Sequence, residues 1–270
     1  MKIRCTITGY FYNFLGVPMF FLSSSRNRAF LLHLSASATL GALALILVFW
    51  VWYPAPLHKA VGVTEIFLII LGVDVVLGPC LTWTVAKQGK KKKLLILDLS
   101  IIITVQLSAF LYGLHTVSIG RPAWLVLNTD RVDLVQALEM DTRHLSDAQP
   151  EYRQASWWGP KWVFAPSPAE TDVEALNTLT MEAIFSGVDL YQKPEFYRPL
   201  AEGHDLVQSR AQPLEVLQKF NSAEAVQAVL ARYPEADAWM PMMCKVQPVV
   251  VLWRKADASV VAVVDLNPWN

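Results

Sequence analysis

The residues best placed to do chemistry in this chain are carboxylates within long apolar stretches. The segment EIFLIILGVDVVLGP, from Glu65 to Pro79, is as apolar as a bilayer-spanning helix, yet it contains Glu65 and Asp74. A charged side chain at the centre of a membrane costs at least about 2.5–3.5 kcal/mol on insertion scales. We therefore expect Asp74 to face protein, to be protonated, or both. Glu65 lies near one end of the segment, where it reaches interfacial water.

Two aspartates on neighbouring apolar helices are also the catalytic pair of intramembrane aspartyl proteases, and Asp98 is the second candidate here. Asp98 lies about five residues from a lysine run, whereas Asp74 lies about 13 residues from Lys87. At 1.5 Å per residue their depths differ by roughly 12 Å, but a shared proton requires carboxylates a few ångström apart. The Gly-x-Gly-Asp signature of prepilin-type peptidases is also missing. We therefore expect that this protein is not an enzyme.

Other catalytic and ligand-binding signatures are missing from the sequence. It contains no G-x-x-x-x-G-K-[ST], G-x-S-x-G or H-E-x-x-H motif, and its five histidines are scattered. Cys5, Cys80 and Cys244 are expected in three different compartments, so they predict neither a disulfide nor a zinc site. We expect no cofactor and no metal.

The surroundings of Asp74 favour a helix contact instead. At 100° per residue, Glu65 and Asp74 point to opposite faces of one helix, so they do not form an acid–base pair. Small residues at positions 72 and 78 allow another helix to approach closely. The sequence therefore predicts a polar seam that binds a helix of this chain or of a partner. Its candidate residues are Glu65, Gly72, Asp74, Gly78 and Pro79.

Three stretches of the chain are long and apolar enough to cross a membrane, which takes about 20 residues. Hydrophobic residues make up 54% of the chain and charged residues 17%, below the ~25% of soluble domains. Buried helices of a soluble core would need more protein around them than this chain supplies. A cleaved signal peptide is disfavoured by the length of the first stretch and by its terminal Trp50, Trp52 and Tyr53. The predicted spans are residues 29–53, 63–86 and 94–114.

Basic residues near the ends of these spans predict the orientation. Lys and Arg cluster before the first span and in the run KQGKKKK between the second and third, whereas the loop between the first two carries only Lys59. This pattern predicts a cytoplasmic N-terminal segment (1–28), a three-helix transmembrane region (29–116) and a periplasmic domain (117–270) in a bacterial inner membrane. Translation starting at Met19 is an alternative beginning for the first segment.

The domain after the third span is expected to be α+β with a mostly antiparallel sheet. It holds 13 basic and 20 acidic residues, which disfavours nucleic-acid binding, whereas the lysine run suits anionic lipid headgroups. Residues 122–128 predict a strand, and the C-terminal stretch predicts two strands, the first at a sheet edge because of Pro248. Thr171 with Glu174, and Asn221 with Glu224, predict two helix starts, and Gly187 predicts a helix end.

Two features of this domain are candidates for interaction. The stretch WWGPKWVFAPSP (157–168) reads as a loop, either a packed surface loop or an aromatic docking patch with Trp157 and Trp158 in contact with a partner. Arg121 follows the third span. Its position favours a snorkelling side chain at the interface, and the alternative is an anchor for the domain.

Three stretches resemble the TfpX/TfpZ family of type IV pilin accessory proteins: WYPAPLHKAVGVTEIFLIILGVDVVLGPCLT (52–82), GRPAWLVLNTDRVDLV (120–135) and VVAVVDLNPW (260–269). The resemblance covers most of the chain from about residue 29 and is loose over residues 140–235. It implies an inner-membrane protein that assists the assembly of a type IV pilin, as a pilin-specific chaperone or assembly modulator, beside the pilus assembly machinery. The family offers no catalytic residue to carry over. The motif positions are Glu65, Asp74, Gly78, Pro79, Arg121, Asp130 and Arg131.

A membrane-anchored periplasmic ligand sensor is the alternative function. A sensor would need a partner for its output, because the predicted cytoplasmic parts are short. It predicts a closed, polar-lined pocket in the domain outside the membrane.

Overall fold

The computed structural model describes residues 25–87, 89–169 and 171–269. The predictions on Cys5, on a start at Met19 and on most of the N-terminal segment lie outside these residues. The chain forms two compact units. One, the helical unit, comprises the described residues up to Ala44 and those of Phe67–Leu114; the other, the sheet unit, comprises Leu45–Ile66 and the described residues after Leu114. The sheet unit thus includes residues 45–66, which were predicted as part of the transmembrane region. The predicted cytoplasmic, transmembrane and periplasmic parts of the chain remain a prediction.

Among the residues that the structure describes, three helices are long and apolar enough to cross a membrane, and they suggest membrane association. They run over Arg26–Trp52, Val63–Val85 and Lys92–Ile119, close to the predicted spans. The first long helix consists of α1 (Ser25–Ile46) and a π-helical stretch, Leu47–Trp52. A short helix, α2 (Leu57–Val61), follows it. The second long helix consists of α3 (Val63–Gly72), a π-helical turn, Val73–Leu77, and α4 (Gly78–Val85), and the third is α5 (Lys92–Ile119).

In the described part of the sheet unit, seven strands form one mixed sheet in the order β3-β1-β2-β5-β6-β7, with β4 paired to β5. The strands are β1 (Pro122–Asn128), β2 (Arg131–Gln136), β3 (Lys161–Phe164), β4 (Gln212–Pro213), β5 (Ala238–Met243), β6 (Val249–Arg254) and β7 (Ser259–Val264). The predicted strand at 122–128 and the predicted C-terminal pair are confirmed.

The expectation of a mostly antiparallel sheet is wrong. The pairs β1–β3 and β2–β5 are parallel, because long connections bring β3 and β5 back in the direction of their neighbours. β3 itself falls inside the stretch predicted as a loop. The edge position predicted from Pro248 is also wrong: β6 lies between β5 and β7, and the proline precedes the strand, where no ladder hydrogen bond is lost.

Three further helices pack beside the sheet: α6 (Val173–Ser186), α7 (His204–Arg210) and α8 (Ala223–Leu230). Both predicted N-caps lie one residue early. Asp172 accepts the backbone N–H of Ala175 at 3.1 Å, and Ser222 accepts that of Ala225 at 3.2 Å. The predicted stop at Gly187 is confirmed, with a left-handed φ of 66°.

Two hydrophobic clusters hold the sheet unit together. In the first, Trp124 of β1 makes edge-on contacts with Tyr152 and Tyr197, with ring centroids 5.8 and 5.4 Å apart. In the second, Trp239 of β5 and Leu252 of β6 pack with residues of α8. Every side chain of β1 is buried, so this strand is covered on both faces.

Candidate functional site

A cavity of about 510 Å³ lies among the three long helices, within the helical unit. Its wall is mainly apolar, with a few polar groups from all three helices. The lining residues are Ala29, Leu32, His33, Ala36, Ser37, Leu40, Leu71, Asp74, Thr82, Leu99, Ile103, Gln106, Leu107 and Phe110. A concave, mostly apolar wall with few polar groups is typical of a binding site.

Asp74 is the acidic residue of this cavity. It is only 7% exposed. No hydrogen bond or ion pair to its carboxylate is found among the described residues. It sits in the π-helical turn Val73–Leu77, a distortion that often accompanies functional sites. A buried polar group without a partner is costly, so Asp74 is the group in this cavity that would gain most from a bound donor.

Gln106 of α5 fixes the second long helix beside Asp74. Its side-chain amide donates to the backbone carbonyl of Asp74. This approach depends on Gly78, because a Cβ at that position would overlap the Gln106 side chain. The carbonyl oxygen of the Gln106 side chain is buried beside Gly78 and has no hydrogen-bond partner among the described residues.

A second polar pair lines the same cavity. Nδ1 of His33 lies 2.6 Å from the hydroxyl of Thr82, which is 2% exposed, and the pair joins the first long helix to the second. The two helices are also joined by Arg26, whose guanidinium stacks on Trp83 and donates from Nε to its carbonyl at 2.6 Å. Polar contacts therefore join the first long helix to the second beside the cavity, and one of them involves two lining residues, His33 and Thr82.

The predicted seam is only partly brought together. Asp74, Gly78 and Pro79 share the buried face of the second long helix. Gly72 is exposed on another face, and nothing lies within 4 Å of the position of a Cβ there. Glu65 is exposed and belongs to the sheet unit. Neither Glu65 nor Gly72 is among the residues that line the cavity with Asp74.

Asp98, the other aspartate in the long apolar helices, is engaged elsewhere. It forms an ion pair with Lys90 near the start of α5. Its side chain does not line the cavity, whereas the neighbouring Leu99 does. Asp74 and Asp98 therefore occupy different environments.

Arg121 is buried rather than snorkelling, so the interpretation favoured from sequence is wrong. The residue is 4% exposed, and its guanidinium donates to the carbonyls of Ala155 and Ser156 at 3.2 and 2.9 Å and to that of Ser118. It also stacks on Trp157, 4.2 Å from the ring centroid. Burial lowers the pKa of Arg121, but a guanidinium stays protonated in proteins. Arg121 fastens the loop at 155–157 to the end of α5.

The chain is similar to known proteins of fimbrial assembly. A family model described as "Fimbrial assembly protein FimB" matches residues 22–62. Two relatives from Dichelobacter nodosus named "Fimbrial assembly protein", of serogroups I and E1, are each 33% identical, over 185 and 189 residues. These matches cover 68% and 69% of this chain and 70% and 71% of the relatives. The chain belongs to the fimbrial assembly protein FimB family.

A third relative, of serogroups C1 and C2, is 39% identical over 104 residues, which are 38% of this chain and 79% of the relative. No solved structure matches the chain. The family assignment supports a role in pilus assembly. The finer resemblance to pilin accessory proteins remains an expectation.

The motif positions Asp130 and Arg131 lie at the β1–β2 turn. Asp130 is exposed, whereas Nε of Arg131 lies 3.1 Å from Oδ1 of Asp133, and Asn128 donates to the other carboxylate oxygen at 2.9 Å. Asp133 is 3% exposed, and burial raises its pKa to about 6 despite these partners. This cluster orders the turn of the hairpin.

Asp133 was not among the predicted residues, although an acid between two buried apolar residues of a strand was a visible signal. His33, Thr82 and Gln106 were missed in the same way. Each is a polar residue in an apolar helix, the type of position that marks interior contacts in membrane proteins. Cys80 and Cys244 are both free. Burial raises the pKa of Cys244 to about 12, so its thiol is unreactive.

Proposed function

We propose that this FimB-family protein is an inner-membrane accessory protein that binds a type IV pilin subunit and promotes its assembly or display. Its N-terminus is cytoplasmic and its sheet unit periplasmic. The family assignment, the three apolar helices and the distribution of Lys and Arg support this proposal. It acts as a pilin-specific chaperone or assembly modulator beside the inner-membrane assembly machinery, and not as an enzyme.

The observation that carries the proposal is Asp74. A buried carboxylate without a partner among the described residues, in a mainly apolar cavity between helices, is suited to a donor carried by another apolar helix. A pilin waiting in the membrane presents one such helix. The cavity volume lies within the range of about 300–1,000 Å³ typical of small-ligand pockets, so it takes side chains of the pilin helix rather than the whole helix.

Glu65 has a separate role in this proposal. It is exposed near the start of the second long helix, where it provides a polar contact close to the periplasmic side. The sheet unit contacts the pilin head, which stands outside the membrane. The two contacts together would set the register of the bound subunit.

The ligand-sensor alternative has less support. Two cavities of the sheet unit lie along α6 and are open grooves, and one of them is lined by His144, Glu182 and Lys193. Glu182 and Lys193 are ion-paired to each other. The ion pair holds α6 in place, so these two charges are not available to a ligand. We therefore favour pilin binding over ligand sensing.

In-cell photocrosslinking tests the proposal. Leu107 lines the cavity and Val105 does not, although both lie on α5 and are 46% and 65% exposed. Two residues correspond to about 200° around a helix, so the pair forms a matched comparison. A photoreactive residue replaces each in turn in cells that assemble pili, and captured proteins are identified by mass spectrometry.

Capture of the pilin at position 107, with little or none at 105, is expected. Equal capture at both positions would show contact without a specific face. Capture of lipid alone, or of a second copy of this chain, at position 107 would overturn the assignment of the cavity to a pilin helix.

A further inference from the structure

The outer ends of the three long helices all belong to the sheet unit. The first ends at Trp52, the second begins at Val63 and the third ends at Ile119. These ends mark one boundary of the apolar segments and hence the level of the membrane surface in the proposed orientation. Loops of the sheet unit that touch these ends lie at that level.

The loop at 156–160 is fastened to the last turn of the first long helix. The indole N–H of Trp52 donates to the carbonyl of Trp157 at 3.1 Å, and the two rings are 5.9 Å apart. Gly159 has a φ of +96°, and a Cβ there would lie 3.0 Å from the carbonyl oxygen of Val51. Both contacts fix the backbone beside Trp158 against the helix end.

The loop at 244–248 is fastened next to the start of the second long helix. The backbone N–H groups of Val246 and Gln247 both donate to the carbonyl of Ala60, at 3.0 and 3.2 Å. Ala60 belongs to α2, which ends two residues before the second long helix begins. A second loop of the sheet unit therefore lies at the same boundary.

Each of these loops exposes a large apolar side chain at this level. Trp158 is 85% exposed and Val246 66% exposed, and Trp50, in the last turn of the first helix, is 74% exposed. Lys245, in the second loop, and Lys59, in α2, have mostly exposed side chains and form ion pairs with Glu139 and Asp265, respectively. Tryptophan and lysine are the residues typical of the headgroup layer.

We propose that Trp158 and Val246, together with Trp50, insert into the headgroup layer of the outer leaflet, so that the sheet unit rests on the bilayer through two loops. The layer between the hydrocarbon core and bulk water is about 5–8 Å thick on each side. The contacts of Trp157 and Gly159 with the helix end hold the backbone of Trp158 at that layer. This assigns Trp158 to phospholipid, whereas the sequence left two alternatives, a packed surface loop and a docking patch for a partner protein.

Spin-label accessibility of the full chain in nanodiscs of phosphatidylethanolamine and phosphatidylglycerol tests this inference. Single-cysteine variants Trp158→Cys and Val246→Cys are made with Cys5, Cys80 and Cys244 changed to Ser, and each is labelled with a nitroxide. Ile46→Cys, on the exposed surface of the first long helix, is the lipid reference, and Asp205→Cys, with a fully exposed side chain, is the aqueous reference. Power saturation compares collision with oxygen and with a water-soluble nickel chelate.

The ratio of oxygen to nickel accessibility at positions 158 and 246 is expected to exceed that at 205 by at least threefold and to approach that at 46. A ratio at 158 equal to that at 205 would overturn the inference. So would a water-accessible label at 158 that becomes immobilised only when purified pilin is added, because it would identify a protein surface. Quenching of wild-type tryptophan emission by brominated lipid, reduced in Trp158→Phe, provides a second measurement that does not depend on the cysteine variants.

Discussion

Replacing Asp74 by Leu should raise stability and abolish function at the same time. The carboxylate is buried without a partner among the described residues, and burial of such a group costs about 1–3 kcal/mol in mutational data. Leucine is favourable at the centre of a membrane helix, whereas aspartate is not. The cavity of about 510 Å³ beside Asp74 has room for the larger side chain. We therefore expect the free energy of unfolding to increase by about 1–3 kcal/mol.

The stability assay is unfolding of the purified protein in mixed micelles by increasing mole fractions of dodecyl sulfate, followed by circular dichroism. Val76→Leu, on the exposed face of the same helical turn, is the control for added apolar surface. Asp74→Asn keeps the size of the side chain and removes the charge. Function is followed by co-purification of pilin and by the number of pili per cell. We expect Asp74→Leu to lose both pilin co-purification and pili. Asp74→Asn should retain part of both if hydrogen bonding at this position matters more than charge.

Two results would refute this reasoning. A loss of stability of 1 kcal/mol or more in Asp74→Leu would mean that the carboxylate has a stabilising partner within the protein. Unchanged pilin co-purification and pilus assembly would mean that Asp74 makes no contact with pilin, whatever its effect on stability.

Three further predictions concern contacts within one unit. Gly78→Leu should destabilise the helical unit by about 1–3 kcal/mol in the same micelle titration, because the new side chain overlaps Gln106. Gly72→Leu, with open space around it, is the matched control. An equal loss of stability in the two variants would contradict the close packing of Gly78 against Gln106. Arg121→Met should lower the free energy of unfolding by at least about 1.5–3 kcal/mol, the value of one hydrogen bond to a charged group, seen as a lower Tm; an unchanged Tm would exclude the anchor. Because burial raises the pKa of Asp133 to about 6, its contribution to stability is present at acidic pH and is lost as pH rises from about 4 to above 6. Asp133→Asn should therefore gain in Tm relative to wild type over that range, and a constant difference would contradict the raised pKa.

The parts of the fold that were predictable from sequence are those with strong local signals. The long helices were recognisable because about 20 consecutive apolar residues indicate a membrane-spanning helix. β1 was recognisable because it is a short run rich in strand formers between turn residues. Helix caps were displaced by one residue, since neighbouring polar residues such as Thr171 and Asp172 compete for the same role. The residue whose side-chain oxygen can accept a backbone N–H of the first turn becomes the N-cap, and the residue type alone does not determine which one this is.

The mixed sheet was not predictable because its parallel pairs join segments far apart in the chain. β2 pairs with β5 through Val132 and Met242, and nothing in either segment specifies the other. β3 escaped notice because Lys161–Phe164 is short and is framed by prolines, which indicate a loop. The cavity was missed for a related reason: Asp74 was visible as an isolated acid, but its neighbours Gln106 and His33 come from other helices.

The charged groups buried in this protein fall into two classes, and only one calls for an external partner. Arg121 is surrounded by backbone carbonyls and an indole ring, and Asp133 accepts hydrogen bonds from Arg131 and Asn128, so the desolvation of each is partly offset within the fold. Asp74 has no such compensation among the described residues and faces a cavity. A protein that retains an uncompensated carboxylate in an apolar site gives up stability for it, and function at a site of contact is the usual reason. Opposite changes of stability and pilin binding on removing this one group would therefore separate a binding site from a structural one.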